Sequence, residues 1–180
     1  MRSLLAAVVV LGTCSSDALA VHNGGAPGRR ITLSRYDVSF VLPSAWHVTF
    51  LRVNGVADPV TLFTATTFPL NPRPASPGLC STTLQRAWRP DGAYVQLTEE
   101  LDGASRKRML RRVPQRPRHF ELNARGAGGL CTPADSGELV FKQGARAFYV
   151  FYGFGKKAPT ETRAAASALL DSLRIAPRAR

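Results

Sequence analysis

Alternating apolar and polar positions dominate the first ordered part of the chain. Tyr36, Val38, Phe40 and Leu42 alternate with polar residues until Pro43 ends the run, which is typical of a half-buried strand. Similar runs, rich in Val, Thr, Phe and Tyr, predict further strands along the chain. These predicted strands cover residues 47–53, 60–68, 93–99, 138–141 and 145–152. The last two flank Gln143-Gly144, which predicts a hairpin.

Helical spacing appears in two places. Pro159 and Thr160 open a helix that carries apolar residues on one face and ends before Pro177. Its apolar face consists of Ala166, Leu169, Leu170 and Leu173. A short helix is predicted from Ser81, its N-cap, with Leu84, Ala87 and Trp88 on one face. The pattern predicts an α+β fold: a mainly antiparallel sheet of five or six strands with a C-terminal amphipathic helix on one face.

Both ends of the domain carry a family resemblance. The segment Phe40-Val41-Leu42-Pro43-Ser44-Ala45-Trp46 resembles the opening of PsbP/Mog1-like domains, in which a strand runs into a Pro-x-x-Trp turn. The final helix, ending Leu169-Leu170-Asp171-Ser172-Leu173-Arg174-Ile175, is similar to theirs and to that of small exported bacterial lipoproteins. The resemblance implies a fold and carries no catalytic site.

The N-terminus has the pattern of an export signal. Met1-Arg2-Ser3 precedes the uncharged run Leu4–Leu11, which is too short to cross a bilayer. Ala18-Leu19-Ala20 is an A-x-A cleavage site, which favours a secreted chain beginning at Val21. The alternative is a lipoprotein, because Leu11-Gly12-Thr13-Cys14 resembles a lipobox that would anchor the chain through Cys14, although Thr13 departs from that motif.

This reading divides the chain into a signal peptide at 1–20, a flexible lead-in at 21–30, one globular domain at 31–176 and a tail at 177–180. Export to an oxidising compartment leaves Cys80 and Cys131 as an even pair, which predicts a disulfide. A disulfide that closes this loop of about fifty residues would stabilise the fold by roughly 4 kcal/mol on the chain-entropy estimate.

Charge narrows the choice of partner. The chain has 24 basic and 12 acidic residues, a net charge of +12, and most of the basic residues are arginine. Part of this excess is consistent with a genomic bias in base composition. A strongly positive exported protein is expected to contact anionic lipid headgroups or anionic wall polymers, and nucleic acid is not expected as a partner outside the cytoplasm.

The densest charge lies between residues 106 and 118. Seven basic residues and no acidic residue occur there, a pattern that predicts an anion-binding segment. If its first part is helical, Met109 and Leu110 could insert into a membrane while the arginines meet phosphates. The alternative is a solvated connecting loop that keeps the protein soluble. The candidate anion-binding residues are Arg106, Lys107, Arg108, Arg111, Arg112, Arg116 and Arg118.

Other candidate sites have weaker patterns. Gly153–Lys157 precedes a helix and could hold an anion, but it lacks the P-loop spacing. Asp135-Ser136-Gly137 could join His47 or His119 in a hydrolase site, yet no nucleophile elbow is present. No histidine or cysteine has metal-ligand spacing, so we expect no metal. No catalytic constellation or cofactor motif is present in the sequence, so we expect no cofactor and a non-enzymatic role.

The aromatic strand near the C-terminus suggests an alternative function. Alternation sends Phe148 and Tyr152 to one face and Tyr149 and Phe151 to the other. A pocket lined by Trp46, Phe151 and Leu170 would make the domain a small-ligand or lipid-binding module, whereas a solid core would argue against that function.

Overall fold

The structure is a computed structural model that describes residues 28–51, 58–70, 82–123 and 135–178. These residues form three α-helices and eight strands, with a short 3₁₀ turn at Ser34–Tyr36. The helices are α1 (Thr82–Ala87), α2 (Gly103–Arg112) and α3 (Thr160–Asp171). The strands are β1 (Arg29–Leu33), β2 (Val38–Leu42), β3 (His47–Thr49), β4 (Val60–Thr66), β5 (Ala93–Glu99), β6 (Asp135–Gln143), β7 (Arg146–Phe154) and β8 (Arg174–Ile175).

The strands form two antiparallel sheets. The larger has the order β3-β4-β5-β7-β6 and the smaller has the order β1-β2-β8. The predicted α+β class with a C-terminal helix is confirmed, but the prediction of five or six strands was too low. The strands missed are β1 and β8. Strand β8 has only two residues, and β1 begins with two arginines inside the segment predicted as a lead-in, so neither shows a periodic apolar pattern; pairing with β2 holds both of them.

The hairpin predicted around Gln143-Gly144 is present. Strands β6 and β7 pair along their whole length, from Gln143 opposite Arg146 to Asp135 opposite Phe154. Gly144 has a φ of +59°, a left-handed conformation that glycine adopts without the strain a side chain would bring. The turn residue therefore fixes the register of the two longest strands.

One face of the larger sheet packs against the smaller sheet and α3. Phe148 and Tyr152 lie in this main core and contact the same cluster as Ala166, Leu169 and Leu170 of α3. The predicted alternation along β7 is therefore confirmed. On the opposite face, a second cluster beneath α1 consists of Phe68, Leu84 and Tyr94, with Leu70, Ala87, Trp88 and Phe151 packed at its edge.

The register brings several loops to one end of the larger sheet. Glu99, the last residue of β5, lies opposite both Val60 at the start of β4 and Phe148 near the start of β7. The β6–β7 turn and the beginning of α2 follow directly from these strand ends. We call this end of the larger sheet the hairpin end.

Some sequence predictions fall outside the described residues. These are the signal peptide, the lipobox cysteine Cys14, the N-cap Ser81, and the cysteines Cys80 and Cys131. The disulfide therefore stays a prediction. At the N-terminal border of the described part, β1 already begins at Arg29, within the segment predicted as a lead-in.

Candidate anion-binding site

Helix α2 begins at a well-formed cap. The Asp102 carboxylate accepts a hydrogen bond from the Ser105 backbone N–H at 2.7 Å, and this bond to the charged form lowers the pKa of Asp102. The helix ends where Val113 leaves the helical conformation just before Pro114. The sequence left open whether 104–112 is helical or a connecting loop; the segment is helical, and it carries five of the seven candidate cations.

One face of α2 borders a cavity of about 920 Å³ at the hairpin end. Its lining residues on α2 follow the i, i+3, i+4, i+7, i+8 spacing of a single helix face. They are Gly103, Arg106, Lys107, Leu110 and Arg111. The opposite wall consists of the β6–β7 turn and the chain after β8. We call this cavity the cleft.

The wall of the cleft includes a buried ion pair. Arg146 Nε donates to Glu99 Oε1 at 2.9 Å and Arg146 Nη2 donates to Glu99 Oε2 at 2.8 Å. The two side chains are only 5% and 1% exposed. A bidentate arginine–carboxylate pair of this kind is both strong and directional, so it fixes the orientation of both groups.

The remaining donors of Arg146 tie distant parts of the chain to this pair. Nη1 donates to the Ala176 carbonyl at 2.9 Å, and Nη2 also donates to the Tyr36 carbonyl at 2.7 Å. Arg178, which is 37% exposed, donates to Glu99 Oε2 at 3.1 Å. Glu99 therefore accepts from two arginines, and Arg146 already binds both of its oxygens.

The cleft is positively charged as a consequence. Five cationic side chains line it, and Glu99 is its single carboxylate. Arg146 offsets the charge of Glu99, so the charges of the other four are not balanced by a carboxylate in the lining. These four are Arg106, Lys107, Arg111 and Arg178. Guanidinium groups bind phosphate and carboxylate oxygens in a bidentate manner, so the cleft has the donor chemistry for an oxyanion ligand.

The predicted anion-binding residues separate into three groups. Arg106, Lys107 and Arg111 line the cleft. Arg108 and Arg112 are exposed and absent from that lining, since they lie on the other face of α2. Arg108 donates to the Ser105 hydroxyl at 3.0 Å, within its own helix.

Arg116 and Arg118 lie beyond α2 and differ from each other. The Arg116 guanidinium donates to the carbonyls of Leu170, Asp171 and Leu173 at 2.7–3.1 Å, so it caps the C-terminal end of α3. Burial lowers the pKa of Arg116. Arg118 is exposed beside a shallow depression that it shares with Arg116 and Lys142.

The glycine-rich segment before α3 uses its backbone donors within the fold. The N–H of Gly155 donates to the Gly92 carbonyl at 2.7 Å, and the N–H of Lys157 donates to the Pro90 carbonyl at 2.8 Å. A Cβ on Gly155 would collide with the Pro90 carbonyl, which explains why glycine is needed there. These donors are therefore committed to a turn and do not face an anion.

The residues of the weak hydrolase pattern are dispersed. His119 Nδ1 lies 2.6 Å from Asp171 Oδ2, and the other oxygen of Asp171 accepts from the Phe120 N–H at 2.8 Å. Within the described ranges no hydrogen bond joins Ser136 to His47 or to His119. Among all the residues that the structure describes, no cluster of three or more His, Cys, Asp or Glu side chains could hold a metal ion.

The three residues proposed for a ligand pocket do not share one. Trp46 and Leu170 belong to the solid main core, whereas Phe151 packs at the edge of the second cluster on the opposite face of the sheet. None of the cavities found among the described residues is lined by all three.

Sequence reasoning missed Glu99, Arg146 and Arg178 as parts of the site. The first two carried a usable signal, because each is a charged residue at the end of an otherwise apolar strand, where a buried charge needs a partner. Arg178 carried none, since it lies in a segment predicted as a tail.

No helix in the described ranges is long and apolar enough to cross a membrane. Comparison of the chain with protein-family models, curated proteins and solved structures finds no match. The resemblance to PsbP/Mog1-like domains therefore stays a prediction.

Proposed function

We propose that this chain is a non-enzymatic, exported domain of the cell envelope that binds phosphate-bearing anions in the cleft. The observation that carries the proposal is the excess of cationic side chains around one cavity, with Glu99 already neutralised by Arg146. Export rests on the N-terminal signal pattern, with secretion after Ala20 or a lipid anchor at Cys14 as its two forms.

The geometry of α2 supports a site more specific than a diffuse positive surface. Three cations of one face of α2 line the cleft on one side. Arg146 of β7 and Arg178 of the C-terminal segment line it on the other. A phosphate in the cleft could therefore receive donors from more than one side, whereas Arg108 and Arg112 could reach only an external partner. Anionic lipid headgroups and anionic wall polymers both present such phosphates.

Titration with inorganic polyphosphate tests the site without a membrane. The cleft-face variant R106S/R111S is compared with the matched variant R108S/R112S, which removes the same charge from the same helix. At about 1 kcal/mol for each basic residue near an anionic surface, the cleft-face pair should weaken binding roughly 30-fold. The matched pair should change it only a few-fold, through the loss of net charge.

Equal losses in the two variants would contradict the proposal, because they would show that only total charge matters. Binding by the wild-type chain should also weaken as salt is added, since partly exposed charges are screened.

A small-ligand module is the second candidate: the described residues hold no pocket shared by Trp46, Phe151 and Leu170, but the cleft is a different site of suitable size. Its volume of about 920 Å³ lies within the range of small-molecule sites, about 300–1,000 Å³. Calorimetry with pyrophosphate separates the two functions. Tight binding of this small ion, unaffected by excess polymer or vesicles, would favour the small-ligand module over the envelope-binding domain.

A further inference from the structure

Two neighbouring apolar side chains project into solvent after β3. Phe50 is 50% exposed and Leu51 is 59% exposed, and they are the only exposed large hydrophobic residues among those that the structure describes. Isolated exposed leucines are common, but two large apolar side chains exposed next to each other in sequence form a candidate interaction patch.

The strand register places this pair at the hairpin end. Strand β3 runs antiparallel to β4, with Thr49 opposite Thr64, so the chain leaves β3 in the direction of the end where β4 begins. Val60, the first residue of β4, lies opposite Glu99, the carboxylate of the cleft. The apolar pair and the cationic cleft therefore lie toward the same end of the larger sheet, on opposite sides of its width, since β3 is one edge strand and β6 is the other.

Charge at this edge favours an anionic partner. Seven cationic side chains come from α2, Arg146 and Arg178. They outnumber the five carboxylates near them, which are Asp37, Asp58, Glu99, Glu100 and Asp102. Two of these carboxylates are buried, Glu99 at 1% and Glu100 at 5% exposure, and Asp102 accepts the capping hydrogen bond of α2.

We infer that the hairpin end docks onto an anionic lipid bilayer, with Phe50 and Leu51 inserted among the acyl chains and the cleft holding lipid phosphates. The inference rests on the proposed function and names its partner. A bilayer offers an apolar phase directly beneath a layer of phosphates, which matches both features together. A wall polymer offers phosphates without an apolar phase, so it would leave the Phe-Leu pair in water.

Binding to two probes separates this inference from the proposed function. The full chain and its F50S/L51S variant are titrated with vesicles of phosphatidylglycerol and phosphatidylcholine, and separately with inorganic polyphosphate. We expect F50S/L51S to lose at least about tenfold in vesicle affinity and to bind polyphosphate like the wild-type chain. Unchanged vesicle binding, or an equal loss for both probes, would overturn the inference.

Depth of insertion gives an independent readout. The single variant F50W is mixed with the same vesicles carrying brominated acyl chains, with the wild-type chain as the control for Trp46 and Trp88. We expect additional quenching in F50W, and quenching equal to that of the wild-type chain would overturn the inference. The R106S/R111S variant reports on the proposed function alone, which fails if that variant retains full polyphosphate binding.

Discussion

At the scale of single residues, the Glu99–Arg146 pair links the fold to the cleft. Both side chains are almost fully buried, and Arg146 also holds the Ala176 and Tyr36 carbonyls. Removing Arg146 alone is costly because Glu99 stays charged and buried, with the partly exposed Arg178 as its remaining ion-pair partner, while replacing both members of a buried pair with apolar residues costs less.

The variant R146M should therefore lower the free energy of unfolding by about 3–5 kcal/mol. The double variant E99M/R146M should recover part of that loss, as measured by urea unfolding. A double variant that is less stable than R146M would contradict this account of the pair.

Glu100, the residue after Glu99, makes a pH-dependent contribution to stability. Burial raises the pKa of Glu100, and the nearby Asp58 raises it further. A raised pKa in the folded state means that the ionised form destabilises the fold. The penalty is present above the folded pKa and disappears as the pH falls below the unfolded value.

We therefore expect the variant E100Q to have a higher Tm than the wild-type chain at pH 7. Glutamine can still accept the hydrogen bond that the Glu100 carboxylate receives from the Asp102 N–H. The difference in Tm should shrink as the pH falls toward 4. A difference that stays constant with pH would contradict the assignment, and E121Q at an exposed position is the matched control.

At the scale of elements, two neighbouring arginines of the basic segment have different structural roles. Arg116 caps the C-terminal end of α3 through three carbonyls, whereas Arg118, two residues later, is exposed. A hydrogen bond from a charged donor contributes about 1.5–3 kcal/mol to stability. A substitution at an exposed position usually changes the free energy of unfolding by no more than about 0.5 kcal/mol.

The variant R116A should therefore lower the free energy of unfolding by about 2 kcal/mol, while R118A should leave it nearly unchanged. Urea unfolding of the two variants measures this directly. Equal stability of R116A and the wild-type chain would show that the cap does not hold α3 in solution.

Some elements could be predicted from the sequence alone, and others could not. Hydrophobic periodicity was sufficient for β5, the β6–β7 hairpin and α3, because each has a local pattern and a local stop signal, whereas for α2 it left helix and loop open. It could not separate the two faces of α2, since the cleft face is defined by what packs opposite it. The wall formed by β7 and the C-terminal segment depends on contacts between residues far apart in sequence, such as Arg146 with Tyr36.

At the scale of the whole molecule, three features lie toward one end of the larger sheet. The cleft, its buried ion pair and the exposed Phe50-Leu51 pair all lie at or toward the hairpin end. The predicted Cys80–Cys131 disulfide and the export signal would adapt this domain to the envelope, and both stay predictions. The central claim is that phosphates bind inside the cleft and not across the general positive surface.

Nuclear magnetic resonance of the arginine side-chain Nε–Hε groups tests this claim most directly. On titration with polyphosphate, we predict that the signals of Arg106, Arg111 and Arg178 shift together and saturate. The signals of Arg108 and Arg112, on the far face of α2, should move little, and Arg116 should stay fixed in its cap. Shifts spread evenly over all exposed arginines, with no saturation at the cleft, would contradict the account.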